Sequence, residues 1–98
     1  MMYTVNNEIN SQEYNKLQIH KLVNTENLKI LSISLEKNAI FPEHVSPKDV
    51  QLIVLDGAII FYINQKEYHL SKHQHFSFPK DEKHWVKALE NSKFLIIR

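Results

Sequence analysis

The chain has 98 residues, 43% apolar and 23% charged, a composition typical of one folded domain and not of a disordered segment. Its 12 lysines and arginines balance 11 acidic residues, and the lysines are scattered, which disfavours nucleic-acid binding. The absence of cysteine excludes disulfides, thiolate nucleophiles and cysteine-ligated zinc, and it fits a reducing compartment. The first sixteen residues hold no apolar run long enough for a signal peptide, so we expect a cytoplasmic protein without membrane contact.

Residues 1–16 are polar and weakly patterned, and we expect them to form an N-terminal arm. The pattern leaves open a short helical turn at residues 11–17, an arm without a helix, and an arm exchanged between the subunits of a dimer. Residues 17–98 are expected to form a single domain.

Nine short segments rich in β-branched and aromatic residues follow the arm, at intervals of roughly ten residues. This spacing predicts an all-β barrel or sandwich of short antiparallel strands. The fourth segment is apolar on both faces, so we expect one face in the core and the other against a second layer or a partner subunit. The predicted strands are 17–23, 28–36, 40–46, 50–55, 58–64, 67–70, 75–78, 83–89 and 93–98.

The pair Asp56-Gly57 separates the two most apolar segments. Asp-Gly is strongly preferred in two-residue hairpin turns because it accepts positive φ angles. The sequence therefore predicts a tight hairpin between the strands at 50–55 and 58–63.

Two histidines occur in similar contexts on either side of Gly57, the only glycine. One ends Phe41-Pro42-Glu43-His44, and the other ends Phe78-Pro79-Lys80-Asp81-Glu82-Lys83-His84. Histidines that flank a hairpin can converge, so we expect these two imidazoles to point into a shared cavity.

The stretch from Ile40 to Arg98 resembles the cupins, small β-barrels with one motif built on His-x-His, Glu and Gly and a second built on Pro-x-Gly-x-x-His. His44 and Gly57 match the first motif, and Pro79 and His84 match the second. The resemblance implies a double-stranded β-helix, or jelly-roll-like barrel, that forms a homodimer.

The chain departs from the cupin pattern at the positions that normally hold a metal. Ser46 stands in place of the second histidine, and the glutamate position falls on Val50 or Gln51. Only His44 and His84 remain of the usual ligands. Because a stable site normally draws three or four protein ligands, two imidazoles alone would bind weakly a divalent transition metal such as Zn, Fe, Ni, Mn or Cu.

A third metal ligand is conceivable in three places: Gln51 through its amide oxygen, Ser46 through its hydroxyl, or His20 if its strand turns inward. The alternative is that His44 and His84 form a partly buried, hydrogen-bonded pair in a pocket without metal. In either case the candidate ligand-binding residues are His44, Ser46, Gln51 and His84.

The second motif lacks the two glycines of the cupin pattern, because His73 and Asp81 occupy their positions. Ala88 occupies the position of an asparagine. His and Asp enter the left-handed region more often than most residues, so the turns can persist. The resemblance places His73 in a turn, and His73 and His75 are then expected at the surface.

Strand alternation places Trp85 opposite to His84. If His84 points inward, Trp85 faces outward and packs against another chain or the N-terminal arm. An outward tryptophan beside an apolar strand favours a homodimer.

Three functions fit these observations. The favoured one is a cupin-like barrel that binds a small polar molecule near His44 and His84, with a weak metal site or none. The second is a metal-dependent oxygenase, isomerase or lyase with His44 and His84 as ligands. The third is a sensory or partner-binding module.

Overall fold

A computed structural model describes residues 3–98. The chain is nearly all β, as the strand pattern predicted, and each of the nine predicted segments is a strand. No helix in residues 3–98 is long and apolar enough to span a membrane. The elements are α1 Glu8–Ser11, β1 Leu17–Asn24, β2 Lys29–Leu35, β3 Ile40–His44, β4 Val50–Asp56, β5 Ala58–Ile63, β6 Lys66–Ser71, β7 His75–Phe78, β8 His84–Ala88 and β9 Ser92–Ile97.

The strands form two antiparallel sheets. The five-stranded sheet has the order β1-β2-β9-β4-β7, and the four-stranded sheet has the order β3-β8-β5-β6. Alternate side chains of both sheets point between them, as expected from the two-residue period of a strand. The buried core comprises Ile33, Leu35, Val50, Leu52, Val54, Ile59, Phe61, Ile63, Leu70, Phe78, Val86, Ala88 and Phe94.

The predicted hairpin at Asp56-Gly57 is wrong, because β4 and β5 do not pair. β4 lies between β9 and β7, whereas β5 lies in the other sheet between β8 and β6. The chain turns a corner from one sheet to the other at Gly57, where φ is +81°. A Cβ atom there would lie 2.8 Å from Ser92 Cα and closer still to Ser92 Oγ and the Asn91 carbonyl oxygen. Gly57 is therefore required by a close backbone approach, and not by a two-residue turn.

The arm folds onto the outer face of the five-stranded sheet. Gln12 is 4% exposed; its amide donates to the Ser32 carbonyl at 2.9 Å and its side-chain oxygen accepts from Ser32 Oγ at 2.6 Å. Lys93 Nζ donates to the carbonyl of Ile9. The helix of the arm, residues 8–11, precedes the turn considered at residues 11–17. Exchange of the arm between subunits stays a prediction.

Two turns confirm that residues other than glycine fill left-handed positions. His73 has φ +71° and Asp81 has φ +66°. His73 lies in the turn between β6 and β7, as the resemblance indicated. Both positions therefore adopt the left-handed conformation without a glycine.

Candidate functional site

Pairing between β3 and β8 brings the two predicted histidines together. His44 and His84 are direct partners in this antiparallel pair, and Phe41 is the partner of Val86. The register shifts between these positions, so β3 carries one residue more than β8. Such a bulge reverses the alternation, and it places His44 on the same face as Phe41, whose ring stacks on it at 4.3 Å between centroids. Pro42, which lacks an N–H, lies within this bulge.

The ring nitrogens have defined roles. His44 Nδ1 lies 2.7 Å from the Pro42 carbonyl oxygen, and His84 Nδ1 lies 2.9 Å from that of Glu82. A carbonyl oxygen only accepts, so both Nδ1 atoms carry the proton. The two Nε2 atoms, 3.0 Å apart, therefore present lone pairs to one another when both rings are neutral. A proton donor or a cation bound to the two Nε2 atoms would remove the repulsion between their lone pairs.

His84 is held in an apolar environment. It is 3% exposed, and its ring packs 4.6 Å from that of Phe78 and 5.3 Å from that of Phe61. Burial lowers the pKa of His84, the hydrogen bond to the Glu82 carbonyl partly offsets that effect, and the charge of a protonated His44 lowers the pKa further. His84 is thus favoured in its neutral form near pH 7.

A cavity of about 270 Å³ adjoins the histidine pair. This volume is just below the roughly 300–1,000 Å³ of typical small-molecule pockets. Its walls are mainly apolar and come from both sheets. The apolar lining includes Ile19, Leu31, Phe41, Val50, Phe78 and Ile96.

Two cationic residues that the sequence analysis did not select also line the cavity: Lys21 of β1 and Arg98, which follows β9. Lys21 pairs with Leu31, which pairs with Ile96, so these side chains share the inner face of the sheet, and Arg98 follows Ile96 by two residues. No Asp or Glu among residues 3–98 lines this cavity. The register that places β1 and β9 on either side of β2 is not evident in the sequence, so strand alternation alone could not have identified Lys21 and Arg98.

Ser46 lies at the cavity, but its hydroxyl group is already engaged. It is 5% exposed; Oγ donates to the Lys48 carbonyl at 2.7 Å and accepts from the Lys48 amide at 3.2 Å. The Ser46 carbonyl accepts from the Asp81 amide at 2.9 Å. Ser46 therefore joins the β3–β4 loop to the β7–β8 loop, and it has no hydroxyl proton left for a ligand.

The structure does not bring Gln51 or His20 to the histidine pair, which corrects the grouping made from the sequence. Gln51 is exposed on the outer face of β4, where its side-chain oxygen accepts from Ser77 Oγ at 2.7 Å and lies next to His75 Nε2. His20 lies on the face of β1 that meets the arm, with Nδ1 4.0 Å from a carboxylate oxygen of Glu8. Of the two positions considered for the family's glutamate, Val50 is the one that lines the cavity.

Trp85 faces outward, as its alternation with His84 predicted. It stacks on Tyr62 at 3.7 Å between centroids, with the ring planes 4° apart. The arm lies on the other sheet, so the expectation that Trp85 packs against the arm is wrong. Packing of Trp85 against another chain stays a prediction.

The residues present do not fit a tightly held metal. No group of three or more His, Cys, Asp or Glu side chains in residues 3–98 is arranged to hold an ion. The histidine pair supplies two imidazole nitrogens, the amide of Gln51 lies on the opposite face of its sheet, and the Ser46 hydroxyl is engaged. Two nitrogen donors fall short of the three or four that offset dehydration of a transition-metal ion.

Comparison with known structures identifies the fold. No protein-family model and no curated protein matches the sequence. An RmlC-like cupin protein from Desulfovibrio desulfuricans matches with a TM-score of 0.85 and 18% identity, over 98% of this chain and 95% of that chain. An RmlC-like cupin family protein with a double-stranded β-helix fold from Methanocaldococcus jannaschii matches with a TM-score of 0.79 and 23% identity, over 89% and 84%.

A third match is a conserved protein of unknown function from Streptococcus pyogenes, with a TM-score of 0.79 and 27% identity over 87% of this chain and 75% of that chain. The two packed antiparallel sheets and these matches define a double-stranded β-helix. The chain has the fold of the cupins, as the resemblance in its sequence predicted.

Proposed function

We propose that this cupin-fold domain binds a small polar molecule in the cavity between its sheets, and that this binding requires no metal. His44 and His84 are the polar anchors of the site. The observation that supports this proposal is the orientation of the pair: each Nδ1–H is held by a backbone carbonyl, and the two Nε2 atoms, 3.0 Å apart, have no proton between them when both rings are neutral, so the pair can accept from a hydrogen-bond donor of the ligand.

The environment of the pair favours such a role. A few positioned polar groups within apolar walls are typical of small-molecule sites. The walls contribute affinity by losing their contact with water, while the imidazoles select ligands with an O–H or N–H group at the matching position. A ligand hydroxyl placed near both Nε2 atoms would also relieve the repulsion between the two lone pairs.

The test is ligand screening on metal-stripped protein by thermal shift, with a library of sugars, nucleotides and organic acids. A bound compound should raise the Tm of the wild type and of His69→Ala, whose histidine is exposed and lies 3.6 Å from Glu67. His44→Ala and His84→Ala should lose that response. Binding that appears only after a transition metal is added would instead favour the metal-dependent enzyme.

The remaining expectations on partners and location are part of the same proposal. A homodimer is the assembly expected from the cupin resemblance and from the half-buried apolar residues on the outer face of β4, Ile53 and Leu55. Sedimentation velocity at several protein concentrations tests it. The cytoplasmic location stays a prediction.

A further inference from the structure

We infer that the ligand of this cavity carries a carboxylate, which Arg98 and Lys21 bind, while its apolar body lies against the inner faces of the two sheets. The inference rests on the proposed function and adds the charge class of the ligand. It is carried by the charges that line the cavity and by the state of the Arg98 side chain.

All the charged residues that line the cavity are basic. Lys21 and Arg98 line it, no acidic residue of the described chain does, and neither Lys21 nor Arg98 forms an ion pair with an Asp or Glu side chain in residues 3–98. Exposed Lys21 and half-buried Arg98 give this wall a positive charge, and no acidic side chain among residues 3–98 lines the cavity to offset it. An anionic group is the complement of such a wall.

Arg98 has an unmet hydrogen-bonding demand. Its Nε atom is the one buried side-chain nitrogen or oxygen in residues 3–98 without a hydrogen-bond partner. Buried polar groups in folded proteins nearly always find a partner, and an unpaired one carries a desolvation cost. A ligand oxygen that accepts from Nε would remove this cost.

A carboxylate meets this demand. The guanidinium group donates two parallel bonds to a planar carboxylate, and Nε takes part in one of the two such geometries. The apolar side chains near Arg98, such as Ile96, Leu31 and Val50, favour an organic acid over an inorganic ion, because they gain from contact with a hydrocarbon body.

The histidine pair completes the description of the ligand. It lines the same cavity and offers two lone pairs and no proton. A molecule with a carboxylate at one end and a hydroxyl group at the other satisfies both sets of groups at once. A small hydroxycarboxylate is therefore the ligand class that the cavity favours.

The test compares 6-hydroxyhexanoate with 6-hydroxyhexanamide, which differ in charge and share the chain and the hydroxyl group. Binding to metal-stripped protein is followed by the imidazole resonances of His44 and His84. The acid should bind at least about tenfold more tightly than the amide, the difference expected from one charge-assisted hydrogen bond. Arg98→Gln should remove most of this preference, and Lys21→Gln should reduce it.

Lys87→Gln is the matched control, because Lys87 lies on the outer face of β8 and does not line the cavity, so the preference should persist. Equal binding of acid and amide, or a preference that survives in the Arg98→Gln, Lys21→Gln double variant, would overturn the inference and leave the proposed function standing. Inorganic phosphate that binds as tightly as the acid would overturn it as well. If neither probe shifts the imidazole resonances at any concentration, the inference is also overturned, and the library screen alone decides the proposed function.

Discussion

Replacement of Gly57 by alanine tests the sheet-to-sheet corner on which the whole barrel depends. The residue has φ +81°, and the left-handed backbone costs about 1–2 kcal/mol for a residue with a Cβ atom. The new methyl group would also press on Ser92 and on the Asn91 backbone, an overlap comparable to overpacking at about 1–3 kcal/mol. Alanine also stiffens the unfolded chain, which offsets a small part of these costs. We therefore expect the free energy of unfolding to decrease by about 3 kcal/mol.

The measurement is urea denaturation followed by circular dichroism, with the slope of the transition compared between variants. A loss of this size should lower the Tm by roughly 12–24 °C in a domain of this length. The matched control is Asn38→Ala: Asn38 is exposed, has φ +71° and already carries a Cβ atom, so only the backbone preference changes. If Gly57→Ala destabilises the protein no more than Asn38→Ala does, the close approach to Asn91 and Ser92 is refuted.

Three further predictions concern the arm and the histidines. Gln12→Ala should cost about 2 kcal/mol in the free energy of unfolding measured by urea denaturation, because it removes the bond to the Ser32 carbonyl and leaves the buried Ser32 hydroxyl without its acceptor. Asn10→Ala should cost little, and equal effects would contradict packing of the arm on the five-stranded sheet. The pKa of His84 is lower in the folded state than in the unfolded chain, so the unfolded chain binds more protons as the pH drops. The free energy of unfolding should therefore fall as the pH decreases from about 6.5 toward the lowered pKa. His84→Phe should flatten this pH dependence, whereas His69→Gln should not. In calorimetric titrations, zinc or nickel should bind the wild-type protein weakly and the His44→Ala variant more weakly still, because His44 and His84 supply two ligands. A metal that stays bound in stoichiometric amount through purification would contradict a site with two protein ligands.

The strands were predictable from sequence because each is a short run of β-forming residues bounded by turn residues. The order of the strands in the sheets was not. Asp56-Gly57 has the composition of a hairpin turn, yet the same two residues also suit a corner, and only the pairing of β4 with β9 and β7 decides between them. The residues at positions 56 and 57 determine the conformation of the turn, whereas strand pairing over long sequence distances determines which sheets the turn connects.

The site was predictable only in part, for a reason specific to β structure. A strand has a period of two, so one extra residue moves every later side chain to the other face. The bulge before His44 places that residue inside, and no feature of the sequence other than Pro42 hints at it. The same parity explains Gln51: it follows Val50, which faces the cavity, so it must face outward. Lys21 and Arg98 reach the cavity through pairings that span most of the chain.

The replacement of the second histidine by serine changes what that position does. Ser46 uses its hydroxyl group within the β3–β4 loop, and its carbonyl receives the amide of Asp81 from the loop that precedes His84. Ser46 thus ties together the loop that follows His44 and the loop that precedes His84. A metal ion performs that task in a site with more ligands, since coordination draws the ligating strands together. Here hydrogen bonds between the two loops take that role.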